Sequence, residues 1–385
     1  MSEEENRPYI GGQAVLEGVM MRSPHSFAIA VRRADGSISM KERPFEIKAS
    51  SWSKIPFVRG MATLVESLRL GSEALRFSAE LFEKDMEAAE QAEAKPKDAK
   101  STAKKAAPLS VFSAFGLVLA QVFGRADGEP GGSSSGEEEE GRQPNTMALM
   151  TIVMVVFMVA LPQLLAWGTS TLFKMQLDVR SAKFQLLTGA FKLIVVLGYL
   201  AMIRRVPEIY RVFQYHGAEH KTISTYEARE ELVVANAKKQ TTLHPRCGTT
   251  FLIMTVLVSI AIWTALGPLM PRFGGSKAVE QITFFLMKLP FLPVLAGITF
   301  EIQRFTARYC LTGPLRALLW PGFLVQKITT IEPDDAQLEI ALASMRATLW
   351  REKVGPETKK PTSDSEVLAF PSYEALLETP ELRAA

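Results

Sequence analysis

Two histidines lie four residues apart in the stretch from Tyr215 to His220, and a carboxylate directly precedes the second histidine. Residues at positions i and i+4 share one face of a helix, so His216 and His220 can reach the same ion. The order His-x-x-Glu-His is typical of inverted zinc proteases, in which the histidines bind zinc and the glutamate accepts a proton from zinc-bound water. The pattern therefore predicts a zinc site at these histidines, with Glu219 as the general base.

A third histidine and a cysteine follow further along the same segment. His244 and Cys247 are separated by two residues, and histidine and cysteine are preferred zinc ligands at such spacings. If all four side chains bind, the shell is closed and the zinc is structural, whereas three ligands leave a position for a reactive water. Inverted zinc proteases take a further ligand from a distant glutamate, which makes Glu301 an alternative ligand. Otherwise Glu301 only ends a membrane helix and pairs with Arg304.

Four apolar segments are long enough to cross a bilayer. They carry no charge or a single lysine each, and they cover residues 147–168, 184–203, 249–270 and 282–300. Such runs are more typical of membrane helices than of buried helices in soluble proteins. A shorter apolar run at 109–123 is typical of an interfacial or re-entrant segment. We therefore predict a mainly α-helical integral membrane protein with about four transmembrane helices.

Basic residues concentrate between the second and third predicted spans. The loop 204–248 carries eight lysines and arginines, compared with three in 169–183 and two in 271–281. Because positively charged loops stay in the cytoplasm, we predict that this His/Cys loop and both chain termini are cytoplasmic. Lys192 and Lys288 lie inside predicted spans, where a lysine either has a function or extends its ammonium to the outer interface. We favour the second interpretation for both.

The segments outside the spans predict a small β unit, helices and a linker. The apolar run from Gly11 to Met21, with Glu17 as a polar residue inside it, reads as a strand, and Ala34-Asp35-Gly36 is a hairpin turn signal. An amphipathic helix follows, which either lies on the membrane or covers the β unit. The predicted units are the β unit 1–56, the amphipathic helix 57–82, the flexible linker 83–146, the transmembrane hairpins 147–203 and 249–300, the cytoplasmic loop 204–248, and the cytoplasmic C-terminal helical region and tail 301–385.

Four runs of the chain resemble, in this order, the bacterial family called domain of unknown function 1385, the YqhQ-like membrane proteins. These runs are Gly11 to Arg22, Pro56 to Gly60, Tyr215 to Lys221 and His244 to Thr249. The resemblance covers nearly the whole chain outside the linker and the C-terminal tail. It implies a multi-pass protein of the bacterial inner membrane and a predicted metal-dependent enzyme. The insertion at about residues 83–146, with its extra apolar run, departs from the family pattern.

Two functions of different classes follow from these observations. The first is a zinc-dependent hydrolase at the cytoplasmic face of the membrane, acting on a membrane-associated peptide or a lipid-linked substrate. The second is a non-enzymatic protein of transport, lipid handling or membrane-protein assembly, with a structural metal site. Membrane lipid is the expected partner under both. A net charge of +3 over 385 residues does not predict nucleic-acid binding, and no nucleotide-binding glycine pattern is present.

Overall fold

The computed structural model describes residues 7–44, 58–93, 159–272, 274–310, 312–354 and 367–383. The strands among these residues are β1 Gly11–Val15, β2 Gly18–Arg22, β3 Ser26–Arg32, β4 Ile38–Pro44 and β5 Leu368–Phe370. The helices are α1 Val58–Glu93, α2 at 159–172, α3 Ala182–Ile203, α4 Pro207–Glu227, α5 Val234–Lys239, α6 Gly248–Leu266, α7 Lys277–Lys288, α8 Leu292–Tyr309, α9 Trp320–Thr329, α10 Asp335–Val354, α11 Tyr373–Glu378 and α12 Pro380–Arg383.

The strands form a five-stranded antiparallel sheet in the order β1-β2-β3-β4-β5. The β3–β4 turn at Ala34-Asp35-Gly36 is confirmed, and Gly36 has a φ of 87° there. The prediction of one strand from Gly11 to Met21 is wrong, because the chain reverses between β1 and β2 at Glu17, which has a φ of 51°. The turn falls at the polar Glu17, the residue that interrupts the otherwise apolar run.

Helices cover both faces of the sheet. Side chains of one face pack against α1 and those of the other against α10, and both sets are apolar, as expected for strands buried on two sides. Helix α10 is buried on all sides from Ile340 to Leu349. The reason is that α10 contacts both the sheet and α4. Tyr215 and Ala218 of α4 belong to the same core.

Helix α1 is longer than predicted and holds two parts of the molecule together. Its second half covers the sheet, while its first half contacts α8, where Gly60 lies against Phe300. The expected position of the amphipathic helix over the β unit is therefore confirmed, and its first half packs against a candidate span. The linker was predicted to start at residue 83, but the helix continues to Glu93, because alanine, glutamate and lysine are strong helix formers even where no apolar face is present. Residues 94–146, including 109–123, lie outside the described residues.

Three helical segments of the described residues are long and apolar enough to cross a membrane: Ala182–Ile203, Gly248–Leu269 and Lys277–Tyr309. Of the first predicted span, 147–168, only 159–168 lies among the described residues, and it is helical. The last predicted span, 282–300, is not one continuous α-helix. A short 3-10 turn at Leu289–Phe291 separates α7 from α8, and Pro290 accounts for the break because it has no backbone N–H to donate.

The two lysines of the predicted spans face other helices. Lys288 is 7% exposed, and its Nζ donates to Gln163 Oε1 at 3.2 Å and to Gln185 Oε1 at 3.1 Å. The Nζ of Lys192 donates to Ser259 Oγ at 3.1 Å. The prediction that both ammonium groups extend to the outer interface is therefore wrong, because polar side chains of neighbouring helices supply acceptors inside the bundle.

Candidate metal centre

A close approach of the chain after α9 sets the orientation of His216. The backbone at Ile331 passes so near to α4 that a Cβ at Gly217 would lie 2.1 Å from the Ile331 carbonyl oxygen. The Ile331 N–H donates to Phe213 O at 2.9 Å, which fixes this segment along the helix. Thr329 O consequently lies 2.8 Å from Nδ1 of His216. Glycine at 217 is thus required by packing beside the site.

Both histidines of α4 bind backbone carbonyls through Nδ1. The partner of His220 is Thr242 O at 2.5 Å. A ring that donates from Nδ1 carries its lone pair on Nε2, which is the arrangement that outer-shell partners impose on metal-binding histidines. The two ring centroids are 4.5 Å apart. Nε2 of His220 is buried and has no hydrogen-bond partner among the described residues, so its lone pair is available to an ion.

Cys247 adds a sulfur donor from the start of α6. Its Sγ lies 3.1 Å from Nε2 of His216 and accepts from the Thr249 backbone N–H at 3.4 Å as the N-cap of the helix. Donor atoms of His216, His220 and Cys247 all lie within 4.8 Å of one another. Zinc binds nitrogen at about 2.0–2.1 Å and sulfur at about 2.3 Å, so its tetrahedral donors stand about 3.3–3.8 Å apart. The 3.1 Å pair lies just below this range and the 4.8 Å limit lies above it, so one ion would fit after small adjustments of the donors.

The same proximity changes the protonation of these side chains. Burial opposes charge on His216, but the sulfur of Cys247 outweighs this and raises the pKa of His216 to about 9. Burial also opposes the thiolate, yet His216 and His220 hold the pKa of Cys247 well below its ordinary value. These shifts favour a thiolate beside a protonated imidazole in the metal-free site, and an ion that binds here would displace the proton from Nε2 of His216. A thiolate is the form of cysteine that binds metal.

Glu219 lies between this cluster and the edge strand β1. A Cβ at Gly12 would lie 2.7 Å from Cγ of Glu219, so the carboxylate fits only because that position is glycine. The backbone N–H of Ala14 favours the charged form of this carboxylate. Burial raises the pKa of Glu219, while His216 and His220 partly oppose the rise. Glu219 is thus a buried carboxylate beside the three donors and outside their group.

His244 is near the cluster but is not one of the three converging donors. Its ring centroid is 5.6 Å from that of His220, and its Nε2 lies 3.4 Å from Glu227 Oε2. Burial lowers the pKa of His244 to about 4, so the ring is neutral at pH 7. The structure therefore brings together three of the four predicted ligands.

Glu301, the alternative ligand, lies away from the three donors. Its carboxylate accepts from Nε of Arg59 at 2.7 Å and from Nη2 at 2.5 Å. The predicted pairing with Arg304 is wrong, because the long helix α1 brings Arg59 to this carboxylate instead. Glu17 is likewise engaged elsewhere, since it pairs with Arg211 of α4.

Sequence reasoning missed the residue that holds the His/Cys loop. Gln326 of α9 is fully buried, accepts from the His244 N–H at 2.8 Å and donates to the His244 carbonyl oxygen at 2.7 Å. It also donates to Thr250 Oγ1 at 2.7 Å. The sequence gives little signal for this role, because Lys327 directly follows Gln326 and both read as ordinary polar residues. Gly12 was part of a noted motif, but its contact with Glu219 depends on the packing of β1 against α4.

Comparison with known proteins identifies relatives. Residues 55–351 match the profile of the family described as Protein of unknown function (DUF1385). The chain is 31% identical to the Uncharacterized protein YqhQ of Bacillus subtilis (strain 168) over 366 residues, which is 94% of this chain and 99% of that protein. No solved structure matches the chain. The family match includes every one of the three converging donors and Glu219.

Proposed function

The chain belongs to the DUF1385 family, and from its own site we propose that it is a zinc-dependent hydrolase at the surface of the bacterial inner membrane. One observation carries the proposal. Nε2 of the buried His220 lacks a hydrogen-bond partner among the described residues, and it belongs to a group of three donors that fit a single ion. Two imidazoles and a thiolate form a donor set that zinc prefers.

The number of donors supports catalysis over a purely structural role. His216, His220 and Cys247 would hold the ion, which would supply an acidic water in the position that three protein ligands leave open. Glu219 would take one proton from this water as the water oxygen bonds to the electrophilic carbon or phosphorus of the substrate. It would return the proton to the leaving group as the bond to that group breaks. The net reaction is the hydrolysis of one substrate bond by one water molecule.

The position of the donors supports a membrane-associated substrate. Cys247 directly precedes α6, which starts one of the three segments that are long and apolar enough to span a membrane. The site therefore lies at the end of a proposed span, where a membrane-associated peptide or a lipid-linked substrate would be accessible. The excess of basic residues in the loop 204–248 supports a cytoplasmic location for this end.

The test combines metal analysis with complementation of a strain that lacks its own copy of the gene. We expect Glu219→Gln to keep the zinc content of the wild type but to lose complementation, since a carboxamide cannot accept the proton. Glu208→Gln, an exposed acid in the first turn of the same helix, is the matched control and should behave as wild type. Absence of zinc from the wild-type protein would refute the metal site. Full zinc together with full complementation by Glu219→Gln would refute catalysis.

A structural metal site is the second candidate, and the burial of His244 beside His220 favours it. If His244 rotated away from Glu227 and became a fourth ligand, the shell would be closed. The protein would then be a non-enzymatic membrane protein in which the metal fastens the loop 244–248 to α4. Substitution of His244 separates the two candidates, as set out below.

A further inference from the structure

A cavity of 660 Å³ opens beside Cys247, between α1, α6 and α8. We propose that this cavity binds the substrate and that the substrate is a lipid with a phosphate group. The inference rests on the proposed hydrolase function, because it names the molecule that would reach the zinc. The sulfur that would bind zinc belongs to a residue in the wall of the cavity, since Cys247 lines it.

Four arginines line the cavity and make it a site for an anion: Arg22, Arg246, Arg304 and Arg308. The first two have carboxylate partners, since Arg22 lies 3.6 Å from Glu66 and Arg246 pairs with Glu227. Arg304 and Arg308 lie one turn apart on α8, are exposed, and form no ion pair within the described part of the chain. Two guanidinium groups without carboxylate partners on one helix face match the geometry of a phosphate, which accepts paired N–H donors.

Two phenylalanines give the cavity an apolar side next to the polar Thr63, Ser67 and Gln303, and both phenylalanines belong to helices that are proposed to cross the membrane. Phe251 comes from the first turn of α6, and Phe300 from the middle of α8. The arginines Arg304 and Arg308 follow Phe300 toward the end of α8, so the cavity is apolar toward the membrane interior and basic toward its surface. A lipid matches both parts of the cavity, because its chain would contact the phenylalanines and its phosphate would bind the arginines. A small soluble phosphate compound would leave the apolar wall without a partner.

The test uses the full-length protein in maltoside micelles, with binding of dioctanoyl phosphatidic acid measured by calorimetry. We expect saturable binding that Arg304→Ala with Arg308→Ala weakens by about tenfold or more, as loss of a charge-assisted hydrogen bond requires. The matched control, Arg205→Ala with Arg316→Ala, removes two exposed arginines outside the cavity. It should change the affinity by less than about twofold, because dispersed surface charges contribute little. Lysine at positions 304 and 308 should restore part of the affinity.

Two further ligands show whether the cavity recognises a phosphorylated lipid, a lipid alone or free phosphate. Dioctanoylglycerol, which lacks the phosphate, should bind much more weakly, and inorganic phosphate at equal concentration should not compete with the lipid. Equal binding of dioctanoylglycerol, competition by inorganic phosphate, or an equal loss in the control variant would each overturn the proposal. So would the absence of saturable binding by the wild type.

Failure of this inference is distinguishable from failure of the hydrolase proposal. His216→Ala should lose zinc and still bind the lipid, and the variant without Arg304 and Arg308 should keep zinc and bind the lipid weakly. Lipid binding by a wild-type protein that contains no zinc would refute the hydrolase and leave the pocket supported. Zinc with complementation but no lipid binding would refute the pocket alone.

Discussion

Two clusters of buried polar side chains lie in different parts of the molecule. In the cluster beside α4, Nε2 of His220 has no hydrogen-bond partner among the described residues, and donors of His216 and Cys247 lie within 4.8 Å. In the cluster among the apolar helices, Lys288 donates to Gln163 and Gln185. Both clusters are buried, and both contain groups that are costly to remove from water.

The two clusters differ in whether their polar atoms have hydrogen-bond partners, and not in their burial. Lys288 has two amide acceptors and also lies over the ring of Phe284, with its Nζ 4.6 Å from the ring centroid, so the network joins three helices without a ligand. Nε2 of His220 instead has no partner among the described residues and is free to bind a ligand such as a metal ion. A buried nitrogen without a hydrogen-bond partner, close to other atoms that can bind metal, therefore indicates a ligand site. A network in which every polar group is bonded indicates packing between helices.

The largest effect that this comparison predicts is the loss of metal from His220→Ala. Removal of one of three donors should weaken zinc binding by more than about 100-fold, because loss of an outer-shell partner alone costs about 10–100-fold. His25→Ala, at an exposed histidine outside the cluster, is the control and should keep its metal. Zinc content after dialysis against a chelator is the measurement. Equal metal content in the two variants would contradict the assignment.

The second prediction concerns the fit of Glu219 against β1. A Cβ at Gly12 would lie 2.7 Å from Cγ of Glu219, whereas a Cβ at Gly11 would have its nearest contact at 3.8 Å, with Arg22. We expect Gly12→Ala to destabilise the protein by about 1–3 kcal/mol, as overpacking of a filled site does, and to abolish complementation with zinc retained. Gly11→Ala should be close to wild type in thermal unfolding. If Gly12→Ala changed neither stability nor complementation, the position of the Glu219 carboxylate would not matter for function.

The third prediction places the lysine network outside the metal site. Lys288→Met leaves the oxygens of Gln163 and Gln185 without their shared donor, which should cost about 1–3 kcal/mol of stability. Zinc content should not change. Lys277→Met, at an exposed position at the start of α7, should unfold at the wild-type temperature. Loss of zinc from the Lys288 variant at unchanged stability would mean that the two clusters are coupled.

The smallest effect is expected for His244→Ala. Gln326 holds the backbone of residue 244, so the loop should keep its position without the imidazole. With three ligands at His216, His220 and Cys247, zinc content should remain at the wild-type level. Loss of zinc comparable to that of His220→Ala would instead establish His244 as a fourth ligand, and with it the closed structural site.

Local periodicity determined much of the site and of the membrane segments. His216 and His220 share a face of α4 because any helix places residues i and i+4 together. The apolar runs 184–203 and 249–270 form long helices because a helix bonds its backbone groups internally. The turn at Gly36 followed from its own residues in the same way. These features depend on neighbours in the chain, so the sequence alone predicted them.

Contacts between distant segments were decided only by the tertiary structure. Whether His244 converges with the other donors depends on the position of Gln326 in α9, and the partner of Glu301 depends on how far α1 extends over α8. The second buried side of α10 likewise exists because the sheet and α4 meet there. Such contacts balance many small packing and hydrogen-bond energies over the whole chain. No local sequence pattern reports the sum of these energies. The sequence therefore identified the candidate metal ligands, and the tertiary structure determined which of them lie close together.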